Sequence, residues 1–183
     1  LYHWTHLELS RYFGIEKELS PATAEEIWNT WNELLATAEF STQNLILRSN
    51  VKALCTTDDP MDTLEYHIQL REEGFPVKVL PTFRPDKAVE ITKDTFQPYM
   101  QQMGVASFAE LTAKLKERIA FFHAQGCRLA DHAVDYVPHA EGDASAAFDK
   151  AMRGEALSRA ERDCYRTAVL GVCAAEYARL GWA

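Results

Sequence analysis

Apolar residues recur along this chain with two different periods. From His3 to about Phe13 the spacing predicts a helix with Trp4, Leu7 and Tyr12 on one side and Gly14 as its stop. Ser20-Pro21-Ala22-Thr23-Ala24-Glu25-Glu26 reads as a second helix start. Ser20 can cap, Pro21 suits the first turn, and the acids follow where the helix dipole favours them. Ile27, Trp28, Trp31, Leu34 and Leu35 then supply an apolar face. Ser41 opens a third helix through Leu45, Ile46 and Leu47, and Asn50 closes it. Residues 1–50 are therefore expected to form an all-helical segment.

At Val51 the period changes. Val51 to Thr57 is strand-like and runs into Asp58-Asp59-Pro60; Met61 to Glu73 is predicted helical, with Leu64, Ile68 and Leu70 facing inward. Gly74 and Pro76 punctuate the start of a short strand, Val77 to Leu80. Pro81 and Pro85 then remove ladder donors and stiffen the turn that carries Arg84. Helical stretches follow, including Ser107 to Gln125 with Phe108, Leu111, Leu115, Ile119 and Phe122 as its stripe. Gly126 ends that helix and Cys127 to Asp135 reads as a third short strand. Strand, polar turn, helix and strand in alternation form the βαβ unit, with a right-handed crossover and parallel strands. Ala144 to Arg153 and a longer helix from Ser158 to Leu180, stopped by Gly181, complete residues 51–183. The fold class expected is α/β, with about three parallel strands, fewer than a closed barrel needs.

Composition adds limits. The 183 residues, 47% hydrophobic and 25% charged, are ordinary for a globular chain. No apolar run approaches the roughly 18 residues of a membrane span, and the opening has no basic-then-apolar signal pattern. A net charge of −8 without a basic stripe argues against nucleic-acid or anionic-membrane partners. Cys55, Cys127, Cys164 and Cys173 are scattered with no C-x-x-C pair, which fits reduced thiols in a cytoplasmic protein. There is no initiator methionine, so the chain is expected to be part of something longer.

Three predicted strands end on polar groups: Asp58 and Asp59, Arg84 and Asp86, Asp131 and His132. In parallel α/β folds those ends face the same way, where sites gather. Arg84 offers a fixed charge whose planar fork matches a carboxylate; alternatively it pairs with Asp86 or another acid as a structural ion pair. Asp58 and Asp59 can hold a cation or a substrate hydroxyl, or cap the next helix. His3 and His6 share a helical face at a spacing that can bind metal but lacks the pattern of H-E-x-x-H, and packing accounts for them as well. Trp28 and Trp31 form either a sugar platform or a core face.

Leu1-Tyr2-His3-Trp4-Thr5-His6-Leu7-Glu8-Leu9, Thr56-Thr57-Asp58-Asp59-Pro60, Arg84-Pro85-Asp86-Lys87, Gly126-Cys127-Arg128-Leu129-Ala130-Asp131-His132 and the closing stretch from Thr167 to Trp182 resemble the uronate (glucuronate) isomerase family, end to end and in order. That resemblance implies an amidohydrolase-superfamily (β/α)8 TIM barrel with a helical insertion after its first strand. Residues 1–50 would be the end of that insertion and residues 51–183 a partial barrel carrying strands two to four. It implies interconversion of D-glucuronate with D-fructuronate, and of D-galacturonate with D-tagaturonate, in hexuronate breakdown. Arg84 would contact substrate, Asp131 would be catalytic and substrate-binding, and Asp58, Asp59 and His132 are further candidates. A divalent metal such as zinc would belong to the complete enzyme, whose H-x-H motif precedes Leu1, so this segment is expected to bind none. The implied partners are a small hexuronate and, in addition, a second copy in a homo-oligomer. Two alternatives stand beside it: a non-catalytic, self-associating fragment, and a metal-dependent hydrolase of the same superfamily.

Overall fold

A computed structural model describes residues 2–183; Leu1, the first residue of the opening motif, lies outside them. The chain divides into two compact units between Lys52 and Ala53. The first is helical: α1 (Tyr2–Phe13), α2 (Ala24–Leu35), a short 3-10 turn (Ala38–Phe40) and α3 (Thr42–Arg48). Its core is small. Leu9, Ile27 and Phe40 are buried, and Phe13 stacks on Phe40 and meets Trp31 edge-on, with centroids 5.1 and 5.5 Å apart. Ser41 caps α3 as its sequence predicts, accepting the Asn44 N–H, and Asn50 ends the segment at φ 55°.

Two expectations for this unit are corrected. The start of α2 lies a turn later than Ser20, because the Thr23 hydroxyl accepts the Ser20 N–H at 2.9 Å and ties Ser20 to Thr23 in a turn of its own. Trp4, expected on the apolar side of its helix, and Trp28, read as part of a core face or a sugar platform, are exposed at 69% and 61%, so neither is a core residue. His6 is occupied structurally: its Nε2 accepts the Leu19 N–H at 3.1 Å and its ring abuts Tyr2.

The second unit is mixed α/β but mostly helical. Two strands, β1 (Ala53–Cys55) and β2 (Lys78–Leu80), pair in parallel with Leu54 opposite Val79. Their backbones stay in contact beyond the regular ladder. Thr56 and Asp58 donate to the carbonyls of Leu80 and Thr82, and Arg84 donates back to the Asp58 carbonyl, each at 3.0 Å. The third strand expected over Cys127 to Asp135 is reduced to a single parallel bridge, Phe83 to Ala130. The reason is local. Cys127 is still tied to the preceding helix through the Phe122 carbonyl, and by Ala133 the backbone N–H has turned to the Asp86 carboxylate, so few residues remain for a ladder.

Helices surround these strands: α4 (Glu65–Glu72), α5 (Asp86–Val89), α6 (Phe96–Met103), α7 (Phe108–Ala124), α8 (Ala144–Met152) and α9 (Arg159–Leu180). The helix expected from Met61 begins only at Glu65. Asp59 and Asp62 take the N–H groups of Met61 and Leu64 onto their side chains, and Leu64 sits at φ 57°, so the chain turns before it coils. The stripe Leu111, Leu115, Ile119 and Phe122 on α7 is wholly buried against α9, whose Tyr165, Val169 and Cys173 face it. No helix among the described residues is long and apolar enough to cross a membrane.

The N-terminus of α9 is closed by a capping box. The Ser158 hydroxyl accepts the Glu161 N–H at 3.2 Å, and the Glu161 carboxylate accepts the Ser158 N–H at 2.7 Å. Ser158→Ala is expected to lower stability by about 1 kcal/mol in urea unfolding. No loss would mean that the ion pair from Lys150 to Glu161 holds that turn instead.

Candidate functional site

The chemistry gathers where the parallel segments end. Alternation along the first strand puts Leu54, Thr56 and Asp58 on one face, and that face turns inward. Asp58 is accordingly buried: one carboxylate oxygen accepts the Thr56 hydroxyl at 2.7 Å and the Thr82 N–H at 3.1 Å. The Thr56 hydroxyl has one proton and gives it to Asp58, so His67 Nε2, 2.7 Å away, is the donor to Thr56. His67 on α4 is thus tied through Thr56 to Asp58, and the Asp58 carboxylate in turn joins the two strand ends through the Thr82 N–H.

Asp59 faces the other way. Its Oδ1 accepts the Met61 N–H at 2.9 Å and the Tyr99 hydroxyl at 2.8 Å, and its Oδ2 lies 3.2 Å from Lys87 Nζ. Burial, and then the Asp59 charge, push the Tyr99 hydroxyl well above its ordinary pKa, so it remains a donor. From α7, Arg118 donates to the carbonyls of Pro60 and Asp62 and so clamps the turn that carries Asp59.

Arg84 and Asp131 are brought together. Arg84 Nη2 stands 2.7 Å from Asp131 Oδ2, and Arg84 Nε is 3.4 Å from Asp86 Oδ2. Asp86 accepts the Ala133 N–H at 3.1 Å through its other oxygen, so it steadies the segment following Asp131. The Arg84 and Asp131 side chains are 37% and 43% exposed. A pair this open contributes on the order of 0–1 kcal/mol, so an incoming anion can exchange with Asp131 at small cost. Thr57, Asp58, Asp59, Arg84, Asp86 and Lys87 line a hollow of about 250 Å³ beside the pair.

His132 turns away from this hollow. Its ring lies 5.8 Å from that of Tyr177, Nδ1 is buried with no hydrogen-bond partner, and burial lowers its pKa, which keeps the imidazole neutral at neutral pH. Lys87 and Tyr99 were not singled out as site residues by sequence reasoning. Lys87 stands in the Arg84-Pro85-Asp86-Lys87 motif and was within reach of that reasoning. Tyr99 and Arg118 meet Asp59 and its turn only through packing of α6 and α7, for which no local signal exists.

Among the described residues no group of three or more His, Cys, Asp or Glu side chains is arranged to hold a metal ion. The carboxylates at the strand ends are each bound to a cation, a hydroxyl or a backbone N–H, so this donor set does not fit one. The four cysteines are free thiols; Cys127, Cys164 and Cys173 are buried, and burial pushes the Cys173 thiol up to about 12.

Parallel segments ending together on polar side chains, under a cover of helices, define a mixed α/β protein with a cluster of charged side chains at the carboxyl ends of its strands. The chain belongs to the glucuronate isomerase family, whose sequence profile matches residues 1–183. It is 45% identical over 193 aligned residues to a uronate isomerase of Caldicellulosiruptor saccharolyticus, and 44% identical over 192 to one of Caldanaerobacter subterraneus subsp. tengcongensis. Each alignment covers 100% of this chain and 41% of the relative, so the chain spans about two fifths of their length. The crystal structure of uronate isomerase from Thermotoga maritima superposes with a TM-score of 0.91 at 34% identity, over 99% of this chain and 42% of that one. Glucuronate isomerase from Caulobacter crescentus shares the fold, with a TM-score of 0.85 at 22% identity over 94% and 38% of the two chains. These matches carry the isomerase name, not that of a hydrolase.

Proposed function

We propose that this chain is a segment of a uronate isomerase. The whole protein would interconvert D-glucuronate with D-fructuronate, and D-galacturonate with D-tagaturonate, by moving a proton between C2 and C1. The observation that carries the site reading is the meeting of Arg84 with Asp131 beside a polar hollow, on strand ends within a chain that matches the family throughout. Arg84 takes carboxylate or hydroxyl oxygens of the hexuronate. Asp131, released from Arg84 by that exchange, orients a substrate hydroxyl or carries a proton. Lys87 and Asp59 at the other side of the hollow provide a second cation and an acceptor, while Asp58 and His132 act as support.

The finer fold reading is that β1, β2 and the bridge at Ala130 are the second, third and fourth strands of a (β/α)8 barrel, with residues 1–50 the end of a helical insertion. Ala183 supports it: its backbone exchanges hydrogen bonds with Arg128 and Ala130, at 3.0 and 3.1 Å, on the side where a following strand would lie. A divalent metal, zinc for example, would be held by other parts of the complete enzyme. The hexuronate is the partner, a homo-oligomer and a cytoplasmic setting complete the reading, and no nucleic acid or membrane is involved.

The test is isomerisation of D-glucuronate by the full-length gene product beside the 183-residue chain. Activity in the full-length protein alone is expected. Activity in neither would overturn the isomerase reading. The open outer edge of β1 and the exposed Trp4 and Trp28 favour a second reading for the isolated chain, self-association without chemistry, which size exclusion of the same sample distinguishes as an oligomer.

A further inference from the structure

One turn of α9 reaches both sides of the Arg84 and Asp131 pair without touching either residue. Tyr165 is fully buried and donates its hydroxyl to the Ala88 carbonyl at 2.7 Å. The next residue, Arg166, places Nη2 2.6 Å from Glu90 Oε2, with side chains only 10% and 16% exposed. The two bonds grip the last turn of α5 and Glu90, the residue that caps it; this short helix begins two residues after Arg84. A four-residue helix has little stability of its own, so its placement depends on such partners.

The same turn reaches the other way. The Asp163 carboxylate accepts the Tyr136 hydroxyl and lies 3.4 Å from both Arg159 Nε and Arg162 Nε. Thr167 Oγ1 accepts the Ala140 N–H at 3.1 Å. Tyr136 and Ala140 belong to the irregular stretch that leaves Asp131 and His132 and returns to α8. Such a stretch has no ladder to fix it, so these side-chain bonds set its path. The Ala133 N–H on Asp86 then joins the two gripped segments to each other.

We propose that the turn Asp163 to Thr167 of α9 is a positioning element, in which Asp163 and Tyr165 fix the separation of Arg84 and Asp131 by holding the segments that follow each of them. The inference rests on the proposed role of Arg84 in substrate binding. Positioning through a second layer matters because a displacement of about 1 Å at a reacting pair costs up to roughly 100-fold in rate. A 22-residue helix packed along α7 and α8 is a stiff support for that purpose.

A double-mutant cycle in the full-length enzyme separates positioning from mere scaffolding. Tyr165→Phe keeps the ring and removes only the hydroxyl; Asp163→Asn keeps the shape and removes the charge. Each is expected to lower kcat/KM about tenfold, with the enzyme folded by circular dichroism at the assay temperature. In an Arg84→Met background the same substitutions are expected to change kcat/KM less than about twofold, because the group they position is gone. Equal losses in both backgrounds, or no loss beside an intact Arg84, overturn the inference. Should Tyr165→Phe fail to fold, Asp163→Asn decides alone. An Arg84→Met enzyme of parental activity overturns the site reading and this inference together, whereas a crippled Arg84→Met enzyme with additive losses overturns only the positioning role.

Discussion

Arg84→Met in the full-length enzyme is expected to lower kcat/KM by about 100-fold or more, the effect of losing a charged hydrogen bond to an anionic substrate. Methionine keeps an unbranched apolar stem in place of that of arginine, so the loss reports chiefly the guanidinium. The substitution also changes the balance of the hollow. Asp59, Asp86 and Asp131 would remain with two cations near them, Lys87 at 3.2 Å from Asp59 and Arg118 on the Asp59 turn, and a uronate carboxylate would meet net repulsion. Arg84→Lys is expected to fall between parent and methionine, since an ammonium restores the charge but not the planar fork that now spans Asp86 and Asp131. Steady-state kinetics on D-glucuronate checks both variants. A parental value for Arg84→Met would remove Arg84 from the site.

The readable parts of this chain were those whose signals are local. Ser41, Ser107 and Ser158 cap the helices they precede, Gly181 ends α9 at φ 68°, and the stripe from Leu111 to Phe122 is buried as its spacing requires. Strand-end reasoning brought Arg84 and Asp131 to the same place, and they meet. It did not distinguish Asp58 from Asp59, although a signal was present: Leu54, Thr56 and Asp58 share one face of an alternating strand, so Asp58 had to follow Leu54 inward. The start of α4 was misplaced because Asp59 and Asp62 bond to backbone N–H groups that a helix would have used, a competition that apolar spacing does not register. The third strand shrank to a bridge because a helix end and the Asp86 carboxylate take the backbone groups of its neighbours. The contacts of Tyr99 with Asp59, Arg118 with the Asp59 turn, and Tyr165 with Ala88 join residues far apart in sequence. They exist only once the helices have packed, and no window of the sequence contains both partners.

Phe83→Ala is expected to destabilise the chain by about 3–5 kcal/mol, the range for deleting a large aromatic side chain from a core. Phe83 is fully buried, and its backbone is the junction of the strand segments, bridging to Asp58 on one side and Ala130 on the other. Its ring meets Phe122 edge-on at 5.1 Å and lies 6.2 and 6.4 Å from the rings of Tyr177 and Trp182. Those neighbours are anchored on α7 and at the end of α9, so they cannot close on the space the ring leaves, and the cavity persists. Urea unfolding followed by tryptophan fluorescence measures the loss, with Trp182 beside the altered site. A cost below about 1 kcal/mol would show that the junction collapses freely and that Phe83 is not a fixed point of the unit. Arg84→Met, one residue along, is expected to move stability by no more than about 1 kcal/mol, because Arg84 and its nearer partner Asp131 are both over a third exposed. The two adjacent positions should therefore separate cleanly, one acting on stability and the other on turnover. If Arg84→Met instead cost as much stability as Phe83→Ala, the bond from Arg84 to Asp131 would be a structural cross-link, and the case for substrate exchange at that pair would fall.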